Sequence, residues 1–332
     1  MGYYTYRTPD SYNKTTPKSV FYTTLVENMK ILVATEKPFA AVAVEGIRKE
    51  IEAAGYQLCL LEKYTNKKQL LDAIADADAL IIRSDVIDNE VFEAAKRLKI
   101  VVRAGAGYDN IDLPSATAHG VVAMNTPGQN SNAVAELALG LMVFAVRNFY
   151  NGKSGSELKG KTLGIHAFGN VGRNVARIAQ GFGMNVIAYD AYCPDEAMIA
   201  ANVQPVHSAE ELYQKSNIVS LHIPATAETK ESINYKLLNQ MPKGAILVNT
   251  ARKEVINEPE LVKLMQERDD FKYLTDIMPA ADEQLKQFEG RYFSTPKKMG
   301  AQTAEANINA GIAAAKQIVD FFTTGNTRFK VN

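Results

Sequence analysis

The chain holds only two cysteines, Cys59 and Cys193, in 332 residues. That leaves no disulfide framework and no cysteine-based zinc cluster; it suits a reducing compartment, with each thiol read as a small buried hydrophobe. Histidine is nearly as scarce, at four: His119, His166, His207 and His222. An excess of either charge is also missing. Lys+Arg and Asp+Glu stand at 37 each, so no global basic field invites nucleic acid or an anionic membrane surface. No apolar run approaches the roughly 18–20 residues of a membrane span. What is present is a 46% hydrophobic composition, enough to bury a full core and long enough for two domains.

Residues 1–28, "MGYYTYRTPDSYNKTTPKSVFYTTLVEN", are rich in Tyr, Thr and Ser and lack both an apolar h-region and a small-residue cleavage site. They are expected to form a flexible extension ahead of an ordered chain that starts at Met29, with the cytoplasm as the default compartment; an organellar transit peptide is the alternative. From Met29 short apolar runs alternate with amphipathic stretches: "MKILVATE", "YQLCLLE", "DALIIRS", "KIVVRAGAG" and "VVAMNT", with helical segments between. The runs are rich in Val, Ile and Leu without polar alternation, the pattern of parallel strands buried on both faces. A long apolar helix over "NSNAVAELALGLMVFAVRNFY" follows, then the connector "NGKSGSELKGK", then a second series: "TLGIHAF", "NVIAYD", "NIVSLHIP", "AILVNTA", "FKYLTDIM" and "YFSTP". Another long helix, "TAEANINAGIAAAKQIVDFF", closes it. The expected architecture is α/β, with two doubly wound parallel-sheet domains, the second inserted into the first. The expected boundaries are 29–127 plus 302–332 for one domain and 128–301 for the other.

"TLGIHAFGNVGRNVARIAQGFGMNVIAYD" sets a strand, a glycine turn, a helix, a second strand and an acid in order. In that context Gly169 lets backbone approach a pyrophosphate, and Gly172 lets the helix pack against the strand. Phosphates would sit over the amides of Asn170 and Val171 at the helix N-terminus. Asp190, at the end of the second strand, is placed for a ribose 2′-hydroxyl and repels a 2′-phosphate, which favours NAD over NADP. The first glycine of the pattern is replaced by Ala167, which an L-residue tolerates if its φ stays negative.

Three further segments, "RAGAGYDNID" (103–112), "NTPGQNSNAVAEL" (125–137) and "ILVNTARKEVI" (246–256), join the glycine turn and "TPKKMGAQT". Together they resemble the D-isomer-specific 2-hydroxyacid dehydrogenase family across residues 29–332, and within it the phosphoglycerate dehydrogenase branch that serves serine biosynthesis. The resemblance implies a flavodoxin-like substrate domain, a Rossmann-type NAD domain inserted into it, an active site in the cleft and a homodimer. No nucleic-acid or membrane partner and no metal is expected. The C-terminal regulatory domain of longer relatives is not expected.

By the same resemblance Arg252 matches the family's arginine, whose planar fork grips a carboxylate bidentately. Asp276 matches an aspartate on the nicotinamide side, with a strand-end carboxylate capping a loop as the alternative. Ile223, Pro224, Thr250 and Gly300 complete the implied cofactor contacts. Two catalytic positions depart from the family. Its glutamate position is Ala281, followed by Asp282 and Glu283, and its histidine position is Lys298, with Lys297 as an added residue. A lysine has no imidazole tautomer to fix, so losing both groups together is coherent. Lys298 is the expected acid/base and Lys297 a solvated or phosphate-facing charge; the alternative is that both are loop charges.

For the substrate, the glycine-rich loop offers the amides of Ala104, Gly105 and Ala106. Asn130 matches a polar family position. Arg83 and Ser84 stand at the C-terminal end of a strand, where open α/β sheets bind ligands. Arg147 on the long helix is a second candidate; an exposed surface arginine is the alternative for it and for Arg83. The expected reaction is hydride transfer between 3-phosphoglycerate and 3-phosphohydroxypyruvate. A glyoxylate or hydroxypyruvate reductase, and an NAD-sensing binding protein on the same fold, are the competing readings.

Overall fold

The computed structural model describes residues 29–332, so the extension expected over 1–28 lies outside the described residues. The first sheet contains β1 (Lys30–Thr35), β2 (Gln57–Glu62), β3 (Ala79–Ile82), β4 (Ile100–Arg103) and β5 (Val122–Asn125), all parallel, in the order β2-β1-β3-β4-β5. That is the flavodoxin-like winding. The second contains β6 (Thr162–His166), β7 (Asn185–Tyr189), β8 (Gln204–Pro205), β9 (Ile218–Leu221), β10 (Ile246–Asn249), β11 (Lys272–Thr275) and β12 (Tyr292–Ser294). Its order, β12-β11-β10-β9-β6-β7-β8, reverses direction between β6 and β9, and all its pairs are parallel. Only β8 had no counterpart in the sequence pattern. It is a two-residue edge strand containing Pro205, too short to carry periodicity.

β3, β9 and β10 are buried at every position, as strands covered by helices on both faces must be. In the first sheet Ile31, Val33, Ile81 and Val102 pack with Ala314 and Ile318 of the final helix, Ala304–Thr324. In the second, Leu163, Ile165, Val248 and Leu274 pack with Ala138, Leu141 and Met142 of helix Ser131–Val146. Each fully buried aliphatic side chain contributes about 1.5–3 kcal/mol.

The two long helices carry the chain between the sheets. Helix Ser131–Val146 leaves the first sheet and lies on helix Asn170–Gly181, β10 and β11. Helix Ala304–Thr324 returns to lie on helix Ala41–Ala53, β3 and β4. Its limits follow from local chemistry: Thr303 Oγ1 accepts from Ala306 N at 3.1 Å, and Gly325 ends it at φ 76°. The C-terminal ends of β3 and β4 therefore face those of β9, β10 and β11 across a cleft.

Candidate active site

The nucleotide turn is built by sterics. A Cβ on Gly172 would fall 2.3 Å from Ala167 O, so only glycine lets the helix start this close to β6. A Cβ on Gly169 would meet nothing within 4 Å, which leaves that side open for a ligand. No side chain caps helix Asn170–Gly181, so its first amides and the positive end of its dipole face the opening. Ala167 departs from expectation: its φ is 79°, not negative. The backbone thus keeps the glycine geometry with an L-residue in it, held from the far side by Asp190. Asp190 Oδ2 accepts from Phe168 N at 2.7 Å, and Oδ1 accepts from Tyr192 N and Cys193 N at 2.8 and 3.0 Å. Three of about four acceptor positions are used, which leaves one for a ribose hydroxyl.

Beside Asp190 lies a cavity of about 350 Å3 walled by Tyr189, Ala191, Tyr192, Ile223, Pro224 and Leu237, with His166 at its floor. Burial pushes the His166 imidazole down to about 4. Ile223 and Pro224 also line a larger cavity of about 590 Å3 between the domains, so the two spaces meet there. Thr250 lines that cleft too, and its buried Oγ1 has no hydrogen-bond partner among the described residues. An orphaned buried hydroxyl, an uncapped helix start and an apolar cavity ending in a carboxylate fit a dinucleotide lying along this edge.

The cleft gathers Ser84, Ala106, Asn130, Val171, Arg252, Asp276, Lys298 and Gly300. Arg252 follows β10, where the buried Asn249 shapes the turn: its side chain accepts from Ala251 N and donates to Arg252 O, each at 2.9 Å. Arg252 Nη1 donates back to Ala251 O at 2.9 Å, which leaves Nη2 toward the glycine loop. A Cβ on Gly107 would lie 4.0 Å from that Nη2, so the two domains approach each other here. Lys298 is an exposed side chain that lines the cleft. Desolvation and the neighbouring Arg252 push its ammonium pKa down, against the weaker upward pull of Asp276. Lys297 is exposed and does not line the cleft.

Several expected substrate contacts are placed elsewhere. Arg83 is turned away from the cleft: Nη1 donates to the carbonyls of Lys37 and Pro38 at 3.0 and 3.1 Å, Nη2 donates to Asn307 Oδ1 at 2.6 Å, and the guanidinium sits over Phe39. Its donors hold the final helix to the first sheet. Arg147 ends the long helix at the opposite end from Asn130 and is exposed. The helix runs 16 residues, so Arg147 is about 24 Å from that mouth. Of the three loop amides, Ala104 N donates to Ile82 O and Gly105 N to Arg103 O, both at 2.8 Å, so both are spent internally. Ala106 N alone of the three has no partner among the described residues.

Sequence reasoning missed Arg103. It ends β4 and lines the cleft in the place expected for Arg83. Its Nε donates to Arg83 O at 3.0 Å, while its terminal nitrogens have no hydrogen-bond partner among the described residues. The strand-end signal that picked Arg83, which directly follows β3, applies equally to Arg103, which ends β4. His222 was missed as well. It lines the cleft with its Nε2 3.0 Å from Ser220 Oγ, and burial with His166 nearby holds it neutral, pushed down to about 3.

Fold and site together define a two-domain dinucleotide-binding protein whose interdomain cleft presents two arginines and a lysine. Residues 140–294 match the family model described as the D-isomer specific 2-hydroxyacid dehydrogenase NAD binding domain. A hydroxypyruvate reductase of Thermotoga maritima is 35% identical over 281 residues, covering 79% of this chain and 90% of that one. A D-3-phosphoglycerate dehydrogenase of Methanocaldococcus jannaschii is 37% identical over 269 residues, covering 76% of this chain. This chain spans about half the length of that relative, 51%. Among solved structures, an NAD+-bound 3-phosphoglycerate dehydrogenase of Entamoeba histolytica matches at TM-score 0.80 and 48% identity, covering 92% of this chain and 99% of that one. The chain belongs to the D-isomer-specific 2-hydroxyacid dehydrogenase family and carries that family's NAD-binding domain.

Proposed function

We propose that the protein interconverts 3-phosphoglycerate and 3-phosphohydroxypyruvate with NAD as cofactor, with Lys298 as the acid/base. The observation that carries this is the convergence of Arg103, Arg252 and Lys298 on one cleft beside the dinucleotide turn. NAD, when bound, supplies the hydride carrier at nicotinamide C4. Arg252 grips the C1 carboxylate with its guanidinium fork and holds C2 in place. Arg103, with two terminal nitrogens to spare, takes the phosphate at the other pole of the substrate. Asn130 and the Ala106 amide supply the remaining donors.

In the reducing direction the Lys298 ammonium gives its proton to the C2 oxygen as the hydride arrives, and in oxidation the neutral amine takes it back. Arg252 stabilises negative charge developing on that oxygen. Neither His222 nor His166 competes for the proton, because both are held neutral well below physiological pH. The reading includes a homodimer in the cytoplasm. Among the described residues no helix is long and apolar enough to cross a membrane.

A second reading is a hydroxypyruvate or glyoxylate reductase, favoured by the Thermotoga maritima relative that this chain covers nearly end to end. The test is NADH oxidation with 3-phosphohydroxypyruvate, hydroxypyruvate and glyoxylate, for wild type, Lys298→Ala and Lys297→Ala. Preference for the phosphorylated acid, lost in Lys298→Ala alone with NADH still bound, is the expected result. Preference for the unphosphorylated acids selects the second reading. Tight NADH binding with no turnover of any of the three points to an NAD-sensing binder.

A further inference from the structure

Among the described residues no carboxylate is hydrogen-bonded to the Lys298 ammonium, and the position expected for the family's orienting glutamate is Ala281. Something else must hold the amine in place if it is to move a proton in one geometry. The carboxylate of Asp276, 1% exposed at the end of β11, makes three contacts, all to the segment that carries Lys298. Oδ1 accepts from Thr295 Oγ1 at 2.8 Å and from Met299 N at 2.7 Å, and Oδ2 accepts from Gly300 N at 2.7 Å. Thr295 stands before the Pro296-Lys297-Lys298 stretch and Met299-Gly300 directly after it. One buried anion therefore pins both ends of a three-residue span.

The sequence around the carboxylate is shaped for this. Thr295 N donates to Thr275 O at 3.0 Å, so the near end of the span is an extension of the sheet. A Cβ on Gly300 would fall 3.0 Å from Asp276 Oδ2 and 3.3 Å from Val134 Cγ2, so a larger residue would press on the carboxylate. Hydrogen bonds to an ionised acceptor are about twice as strong as neutral ones. A carboxylate has about four acceptor positions, and three are taken here.

We propose that Asp276 is the positioning residue for Lys298, replacing a side-chain orienter with a clamp on the backbone that carries the lysine. The proposal rests on the reading of Lys298 as the acid/base. It gives Asp276 a role distinct from the cofactor contact that the sequence suggested, for which one acceptor position remains.

The test is a double-mutant cycle at saturating NADH. Asp276→Asn turns one acceptor into a donor facing an amide N–H. It should cost about 100-fold in kcat in the wild-type background, the scale of a lost general acid, and under about 3-fold in Lys298→Ala, with the dissociation constant for NADH changed by less than about 3-fold in both. Equal losses in both backgrounds, or a loss that appears as weaker NADH binding, would overturn it. Thr295→Val removes one clamp bond without touching the carboxylate, and serves if Asp276→Asn does not fold. Trace acetylation with acetic anhydride, read at Lys298 and Lys297 by mass spectrometry, reports the clamp without turnover. Lys298 labelling should move toward that of Lys297 in either variant, and unchanged labelling refutes the clamp. Should wild type turn over no 2-oxo acid, the activity reading falls while the labelling still decides the placement of Lys298.

Discussion

The guanidinium of Arg103 lies directly over the backbone of Gly105, so close that a Cβ on Gly105 would fall 1.5 Å from Nη1 and 2.5 Å from Cζ. Gly105 also has φ 152°, a conformation that L-residues rarely adopt. The clash in Gly105→Ala is with the far end of a flexible side chain, so the arginine moves, while the positive φ adds backbone strain that Arg103→Ala lacks. If Arg103 holds the substrate phosphate, Gly105→Ala and Arg103→Ala both raise KM for 3-phosphohydroxypyruvate by about 10–100-fold, the range for losing a charge-assisted bond of about 1.5–3 kcal/mol. KM for unphosphorylated hydroxypyruvate should change little. Steady-state kinetics on the two acids check this, and equal effects on both would place Arg103 at the carboxylate instead.

The depressed pKa of Lys298 sets the pH profile. Oxidation needs the neutral amine, so its rate rises with pH and reaches half-maximum below the ordinary lysine value of about 10.4. Reduction needs the ammonium, so its rate falls over the same window. Desolvation and Arg252 lower the value while Asp276 resists. A plateau below about pH 7 would assign the proton transfer to another group. Lys298→Ala should flatten the rise.

Ala167 carries the strain of the nucleotide turn at φ 79°. An L-residue there costs about 1–2 kcal/mol. Glycine removes that cost but gives back about 0.5–1 kcal/mol through the entropy of the unfolded chain. Ala167→Gly should therefore stabilise the protein by about 0.5–1 kcal/mol, read as a raised urea midpoint with unchanged slope. A lowered midpoint would mean that the methyl group makes contacts worth more than the strain.

The two sheets were legible because strands buried on both faces leave unbroken apolar runs, as in "DALIIRS" and "AILVNTA". The turn was legible because sterics at Gly172 admit one residue type. The choice between Arg83 and Arg103 was not. Both stand at the C-terminal ends of neighbouring strands, and what separates them is Asn307 and the carbonyls of Lys37 and Pro38, which reach Arg83 from distant segments. Arg147 failed on simple geometry, since helix length alone carries it away from the cleft. Which segment Asp276 holds left no trace in the sequence, because two of its three partners are backbone amides, which every residue but proline possesses.

His166 makes the nucleotide domain sensitive to acid. Its ring is 8% exposed, lies 3.2 Å from the Tyr213 hydroxyl through Nδ1, and packs against the rings of Tyr189 and Tyr213. Burial lowers its pKa from 6.5 to about 4, and Asp190 only partly opposes this. The unfolded chain therefore binds a proton in a range where the folded protein does not. The stabilisation is fully present above the unfolded value near 6.5 and is lost as pH falls from there through about 4. Urea midpoints measured at pH 7 and pH 5 should show a drop in wild type, and a smaller drop in His166→Gln, whose amide does not titrate. Bound NADH should raise the midpoints by mass action without removing the contrast. An equal drop in wild type and His166→Gln would assign the acid sensitivity to other groups, of which His222 is the next to test.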